Sequence, residues 1–298
     1  MTDFNKKTVL ITGAAHGIGK LMAEKIAALG GSLVLCDVNR EGLEKTAEEI
    51  RKKGTTVYAH AFDISDREKV YAASEIIHKE TGGIDILINN AGIVFTGEIL
   101  TLPDDKHLRQ VEINLLGTLW MIKAFVPDMV KRNDGHLVTI ASAAGLLAMP
   151  GMGIYSATKH ALMGLNEALR NELRNNNSKV KTTVVCPYII NTGMFEGMKT
   201  PFWQPALKPE AMADAVIKGI LKDRMIVAKP LTVFALPVIK ALFPPSVMDF
   251  ITGITGLSKS IYSCKGFVEI DLSEALKGPQ QADRMSEKSI SRGAEARK

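Results

Sequence analysis

Tyr155 and Lys159 stand four residues apart in Tyr155-Ser156-Ala157-Thr158-Lys159, at the start of a helical pattern that runs to about Leu173. One helical turn stacks positions i and i+4 on the same face. An ammonium beside a phenol favours the phenolate and lowers the tyrosine pKa, which suits the phenol to passing a proton. Ser142 closes an apolar run upstream and offers a hydroxyl to a carbonyl oxygen. Alone, such a Tyr/Lys pair is also what an ordinary helix surface carries. Its meaning depends on what precedes it.

What precedes it is Thr12-Gly13-Ala14-Ala15-His16-Gly17-Ile18-Gly19, between an apolar strand pattern and a helical one. A glycine-rich turn there lets the backbone approach a pyrophosphate, which then rests on the helix N-terminus. Gly13, Ala15, His16, Gly17, Ile18 and Gly19 are the candidate contacts, although any tight strand–helix turn also needs glycine. Asp37 follows 20 residues after Gly17, at the end of the second strand pattern. A carboxylate there accepts hydrogen bonds from the ribose hydroxyls of an adenosine and repels a 2′-phosphate. Val38 follows rather than arginine, with His16 and Arg40 the nearest phosphate partners, so NAD is expected and NADP disfavoured. Asp63 and Ile64, past the third strand, are placed to hold an adenine edge. Asn89, Asn90, Ala91 and Gly92, past the fourth, put small residues where a cofactor passes close to backbone.

These residues fall at the ends of short β-branched runs that alternate with helical patterns: Thr8–Thr12, Ser32–Asp37, Thr56–His60, Ile84–Asn89, Gly135–Ile140, Val180–Val185 and Met225–Val227. Fully apolar short strands separated by helices imply a parallel sheet covered on both faces, an α/β doubly wound fold with ligands at the carboxyl ends of its strands. The chain of 298 residues, 46% hydrophobic and 23% charged, has ample material for a core. Its net charge of +5 is dispersed, with no basic stripe for nucleic acid. Three cysteines without short spacing fit neither a disulfide framework nor a zinc knuckle, and six scattered histidines give no metal site. Met1–Lys7 is polar and has no signal-like apolar stretch, so a cytoplasmic protein is expected.

Taken together, Thr12–Gly19, Asn89–Gly92 and the Ser142…Tyr155…Lys159 triad make the sequence resemble the short-chain dehydrogenase/reductase family, over roughly residues 7–227. The resemblance implies a single Rossmann domain over 1–229 and an NAD-dependent oxidoreductase. Tyr155 would be the general acid/base, with Lys159 lowering its pKa and binding the nicotinamide ribose. Ser142 would orient the substrate oxygen, and Asn114, in Val111-Glu112-Ile113-Asn114-Leu115, would support a proton-relaying water. Pro187, Ile190 and Thr192 would contact the nicotinamide. Tyr188 stands where the family often has glycine, and so adds a large side chain beside the nicotinamide, facing the substrate or packing on the sheet. A homodimer is also implied. The pattern Cys186-Pro187-x-x-x-Asn191-Thr192-Gly193 is most similar to the branch of retinol dehydrogenases and lipid-droplet 17β-hydroxysteroid dehydrogenases, which points to a secondary or allylic alcohol of a retinoid-, steroid- or fatty-alcohol-like molecule. Two other readings stand beside it: a catalytically silent nucleotide-binding scaffold, whose signature would be a broken Tyr/Lys pair, and an NADPH-dependent reductase of polar metabolites, which Asp37 opposes.

Residues 230–270 carry more apolar side chain than a finished core needs, broken by Pro230, Pro237, Pro244 and Pro245. Such a segment suits a lid over the cleft, a dimer contact, or a surface lying on a membrane or lipid droplet with Lys229 and Lys240 at headgroup level. The prolines make a spanning helix a poor fit. Residues 271–298 turn polar, and disorder is expected there.

Overall fold

The computed structural model describes residues 1–201 and 204–268; the tail expected to be disordered lies outside the described residues. The chain alternates strictly through β1 (Thr8–Thr12), α1 (Gly17–Ala28), β2 (Ser32–Asp37), α2 (Arg40–Arg51), β3 (Val57–Ala61), α3 (Arg67–Thr81) and β4 (Ile86–Asn89). After β4 come α4 (Asp104–Val111), a π-helical turn over Glu112–Gly117, α5 (Thr118–Arg132), β5 (His136–Ile140), α6 (Gly153–Asn175), β6 (Lys181–Pro187), α7 (Pro209–Leu221) and β7 (Ile226–Lys229). The seven strands form one parallel sheet in the order β3-β2-β1-β4-β5-β6-β7. That order reverses between β1 and β4, and the carboxyl ends of those neighbours open the crevice where doubly wound sheets take their ligands.

Strand alternation decides which helix covers which face. Val9, Ile11, Leu33, Leu35, Ile86, Ile88 and Val138 point to one side, where Met22 and Ile26 of α1, Leu43 and Ile50 of α2, and Val216 and Ile220 of α7 pack on them. Leu10, Val34, Leu87 and Leu137 point to the other, against Val70 and Ile77 of α3, Met121 and Phe125 of α5, and Leu173 of α6. Burial on both faces explains why the strands read as continuous apolar runs. Helix starts follow local chemistry: Asn39 caps α2 by accepting from the Gly42 N–H at 3.0 Å, and Asp66 caps α3 through the Lys69 N–H at 3.1 Å.

Beyond β7 the apolar extension is broken into short pieces: a 3₁₀ turn over Leu231–Ala235, α8 (Leu236–Leu242), α9 (Pro245–Ile254) and a second 3₁₀ turn over Leu257–Ser263. Pro237 and Pro245 sit in the first turns of α8 and α9, where their missing N–H costs least. Among the described residues one helical stretch, Asp104–Arg132, is long and apolar enough to cross a membrane by composition. Its α5 part packs Met121, Phe125 and Met129 into the core beneath the sheet.

Candidate active site

A cavity of about 880 Å³ opens over the carboxyl ends of the strands. The loop after β1 contributes Gly13, His16, Gly17 and Ile18 to its wall. Close packing shapes this loop. A Cβ at Gly19 would stand 2.0 Å from the Gly13 carbonyl oxygen and 2.7 Å from Asn90 Nδ2, and Gly13 itself has φ +66°. The first turn of α1 carries no acidic residue and His16 makes no side-chain cap, so its N–H groups remain for an anion at the cavity. Ala15 and Gly19 do not line the wall. Ala15 instead donates its N–H to Asp37 Oδ2 at 2.9 Å, and Gly19 holds the turn closed.

Asp37 is buried at the end of β2, with Oδ1 accepting from the Asn39 N–H at 2.9 Å. Each carboxylate oxygen keeps further acceptor capacity, and Asp37 and the exposed Val38 both line the cavity. Asp63 and Ile64 also line the wall. Asp63 is the more engaged of the two, accepting the Ser65 N–H and hydroxyl and an ion-paired hydrogen bond from Arg109. Burial works against its charge, yet the Arg109 and Ser65 hydrogen bonds hold its carboxyl below the usual range. Arg109, on α4, also lines the wall, and nothing in helical spacing signals a partner 46 residues back.

Asn90, Ala91 and Gly92 reach the cavity, and Thr12 fixes them there. Its Oγ1 accepts from the Asn90 and Ala91 N–H groups, both at 3.0 Å, while Asn90 Nδ2 donates back to the Thr12 and Gly13 carbonyls. Asn89 differs. It is buried in β4 away from the wall, and neither side-chain amide atom has a partner among the described residues.

Ser142, Tyr155 and Lys159 meet at the opposite end of the cavity. Ser142 follows β5 and accepts from the Ala144 N–H at 3.1 Å, which sets its rotamer. Tyr155 and Lys159 arise from the first two turns of α6 and are both buried. The Lys159 ammonium donates to the Ile140 carbonyl at 2.9 Å and lies 5.6 Å from the Tyr155 ring centroid. The expected sign of the tyrosine shift is reversed. Burial pushes the phenol up to about 12, offset only in part by its hydrogen bond with Ser142. The same burial brings Lys159 down to about 8, and its Nζ is turned to Ile140 rather than onto the phenol oxygen.

Asn114 is fully buried in the π-helical turn and does not line the wall. Its amide clasps the chain after Gly92: Oδ1 accepts from the Ile93 N–H at 2.8 Å and Nδ2 donates to the Ile93 carbonyl at 2.9 Å. A Cβ on Gly92 would meet Asn114 Oδ1 at 3.2 Å and Lys159 Nζ at 3.5 Å, so these three groups pack as one layer. Pro187, Tyr188, Ile190 and Thr192 line the cavity after β6. Tyr188 is half-buried, and its hydroxyl has no hydrogen-bond partner among the described residues.

The remaining wall is apolar. Val94, Met149, Met152 and Phe195 stand near Tyr155, with Phe195 edge-on to its ring at 6.2 Å. Leu236 and Ile239 of α8 and Met248 and Ile251 of α9 complete it. The sequence left a lid over the cleft, a dimer contact and a lipid surface open for this extension, and its α8 and α9 contribute side chains to the cavity wall. No group of three or more metal-ligating side chains occurs among the described residues.

A pyrophosphate cradle closed by Gly13 and Gly19, a ribose-reading carboxylate and a buried Ser–Tyr–Lys cluster fit a dinucleotide and an alcohol or carbonyl. Residues 7–201 match the model of the family described as short chain dehydrogenase. The chain is 36% identical over 252 residues to 17-beta-hydroxysteroid dehydrogenase 13 of Rattus norvegicus, covering 84% of each chain. It is 38% identical over 265 residues to epidermal retinol dehydrogenase 2 of Homo sapiens, covering 88% of this chain and 85% of that one. A short chain dehydrogenase/reductase from Burkholderia phymatum in complex with NAD superposes with a TM-score of 0.75 at 29% identity, over 81% of this chain and 95% of that one. A metagenomic short-chain oxidoreductase in complex with NADP gives a TM-score of 0.66 at 27% identity, over 76% and 96%.

Proposed function

We propose that this chain, which belongs to the short-chain dehydrogenase family and is an NAD(P)-dependent oxidoreductase acting on CH–OH groups, uses NAD to interconvert a secondary or allylic alcohol and its carbonyl in a lipophilic molecule. The observation that carries this reading is the cavity itself: Asp37 at one end, Ser142 and Tyr155 at the other, and an apolar wall between and beyond them. Relatives named for retinol and steroid substrates support the same class. The partners favoured are a lipophilic small molecule, a second copy of the chain as homodimer, and a membrane or lipid-droplet surface on the cytoplasmic side.

The nicotinamide supplies the hydride acceptor or donor when bound. The chain's own residues do the rest. Ser142 Oγ, steadied by the Ala144 N–H, holds the substrate oxygen. Tyr155 Oη takes the alcohol proton in oxidation and returns it in reduction. A phenol pushed up by burial retains its proton at neutral pH, which suits the reductive direction. Asn114 positions the Ile93 backbone behind Gly92 and so keeps the layer containing Lys159 in place. The apolar wall excludes water from the proton's path. Asp37 selects NAD by accepting ribose hydroxyls and repelling a 2′-phosphate.

The test is a panel of retinol, steroid, long-chain secondary and sugar alcohols with NAD or NADP, read by NADH or NADPH absorbance. Turnover of lipophilic alcohols with NAD is expected. Turnover confined to sugars, or higher kcat/KM with NADP throughout, overturns the reading.

A further inference from the structure

The helices α8 and α9 have two apolar faces and no buried residue. On α9 and its C-cap, Met248, Ile251, Thr252 and Thr255 recur at helical spacing and line the cavity. Phe250 and Ile254 recur four apart on the other side and are 66% and 69% exposed. On α8 and its flanks the same split holds: Leu236 and Ile239 line the cavity, while Val238 and Leu242 are 59% and 72% exposed. Each helix packs chiefly on the 3₁₀ turn beside it in sequence. A helix apolar on both faces and buried on neither leaves its outer side unpartnered in water.

The charges around this patch decide what can cover it. Lys240 folds back to donate to the Leu146 carbonyl at 2.9 Å, and Lys229 donates to the Ala211 carbonyl at 3.0 Å. Both ammonium groups are thus engaged with backbone carbonyls of the fold. Asp249 is the one charge within α9 and Lys240 the one within α8. The outer face is therefore apolar and close to neutral, and matches an uncharged lipid surface better than an anionic one.

We propose that the outer faces of α8 and α9 bed into a zwitterionic phosphatidylcholine surface, and that the lipophilic substrate enters the cavity from that surface past these two helices. The part concerning substrate rests on the function proposed above; the part concerning lipid does not. The attachment is apolar, so it survives salt. The helices that hold the protein on the lipid are the same ones whose inner faces receive the substrate, so the cavity mouth never needs to open to water.

The experiment uses the full chain and a Leu242→Ser/Phe250→Ser/Ile254→Ser variant, whose three positions do not line the cavity. NADH binding checks that the variant folds. In co-sedimentation, the unaltered chain is expected to bind phosphatidylcholine vesicles as well as vesicles containing phosphatidylserine, and equally at low and high salt. The variant should partition at least ~10-fold less. In turnover, the variant should keep kcat/KM within about twofold on a short water-soluble secondary alcohol and lose ~10-fold or more on a long-chain alcohol delivered in vesicles. If neither protein oxidises any alcohol, the proposed function fails while sedimentation still decides the lipid contact. An unaltered chain that stays in the supernatant overturns the inference, as does binding that needs phosphatidylserine and vanishes in salt. A variant that turns from dimer to monomer, with no vesicle binding by either protein, assigns the face to a second copy and also overturns it.

Discussion

Replacing Lys159 by methionine should abolish activity and yet leave the cofactor-free protein as stable at neutral pH as before, or more so. The Lys159 side chain is buried, and among the described residues its hydrogen-bond partner is the Ile140 carbonyl. Burial lowers its pKa from 10.5 to about 8, and at 1.36 kcal/mol per unit that is a cost of roughly 3 kcal/mol for carrying the charge at pH 7. Methionine has similar length and no charge, so this cost disappears. The Ile140 carbonyl loses its donor, which costs about 1–3 kcal/mol. The net effect runs from no change to a gain of roughly 2 kcal/mol, or several degrees in Tm for a chain of this size. The pH dependence separates this from a generic packing effect. Because the folded pKa lies below the unfolded one, the folded protein binds fewer protons than the unfolded chain between about pH 8 and 10.5. Stability of the unaltered protein therefore rises with pH across that window, and any advantage of the variant shrinks. Calorimetry of both proteins at pH 7 and pH 10, beside NAD-linked turnover, is the assay. A variant less stable by much more than 1 kcal/mol at pH 7, by a margin that does not change with pH, would refute the reasoning.

Further outcomes are expected elsewhere. Asp37→Ser with Val38→Arg should raise the NADP-to-NAD ratio of kcat/KM by at least ~10-fold, by removing a repulsive carboxylate and adding a phosphate partner; an unaltered enzyme that already prefers NADP defeats the argument. Gly19→Ala drives a Cβ to 2.0 Å from the Gly13 carbonyl and should destabilise by roughly 3 kcal/mol in urea while weakening NADH binding. Asp223 stays ionised well below its usual range: burial opposes the charge, but Thr2 hydrogen-bonds it and Lys181 pairs with it at 3.0 Å. Its stabilisation is present above the unfolded carboxylate pKa and lost as pH falls toward the folded one, so the Tm gap between the unaltered protein and Asp223→Asn should narrow below about pH 3.

The strands were legible because both sheet faces are covered: Val9-Leu10-Ile11 and Leu33-Val34-Leu35 are apolar throughout, and no other simple architecture buries such short runs on two sides. The cavity residues at the strand ends were legible for the same reason, since knowing where β1, β2, β5 and β6 stop places Gly13, Asp37, Ser142 and Pro187. What the sequence does not carry is geometry within a turn. Nothing in Glu112-Ile113-Asn114-Leu115 announces a π-helical turn that aims Asn114 at the Ile93 backbone. Nor does residue type say that Arg109 reaches Asp63, or that Lys240 bends back onto Leu146. Neighbouring charge is visible in the sequence as i, i+4 spacing whereas burial is not, and burial sets the sign of the Tyr155 shift. Asn89 reads like its neighbour Asn90, yet strand alternation carries one into the sheet and leaves the other at the crevice.

Catalysis rests on Tyr155 passing the proton at the substrate oxygen. Its most direct test is Tyr155→Phe, assayed for single-turnover and steady-state oxidation of a lipophilic secondary alcohol and for NADH binding by fluorescence. The ring and its edge contact with Phe195 remain and only the hydroxyl is lost. The expected result is a fall in kcat of ~10²–10⁴-fold with the NADH Kd within about twofold of the original. A variant that keeps most of the original kcat, with the cofactor bound normally, would contradict it.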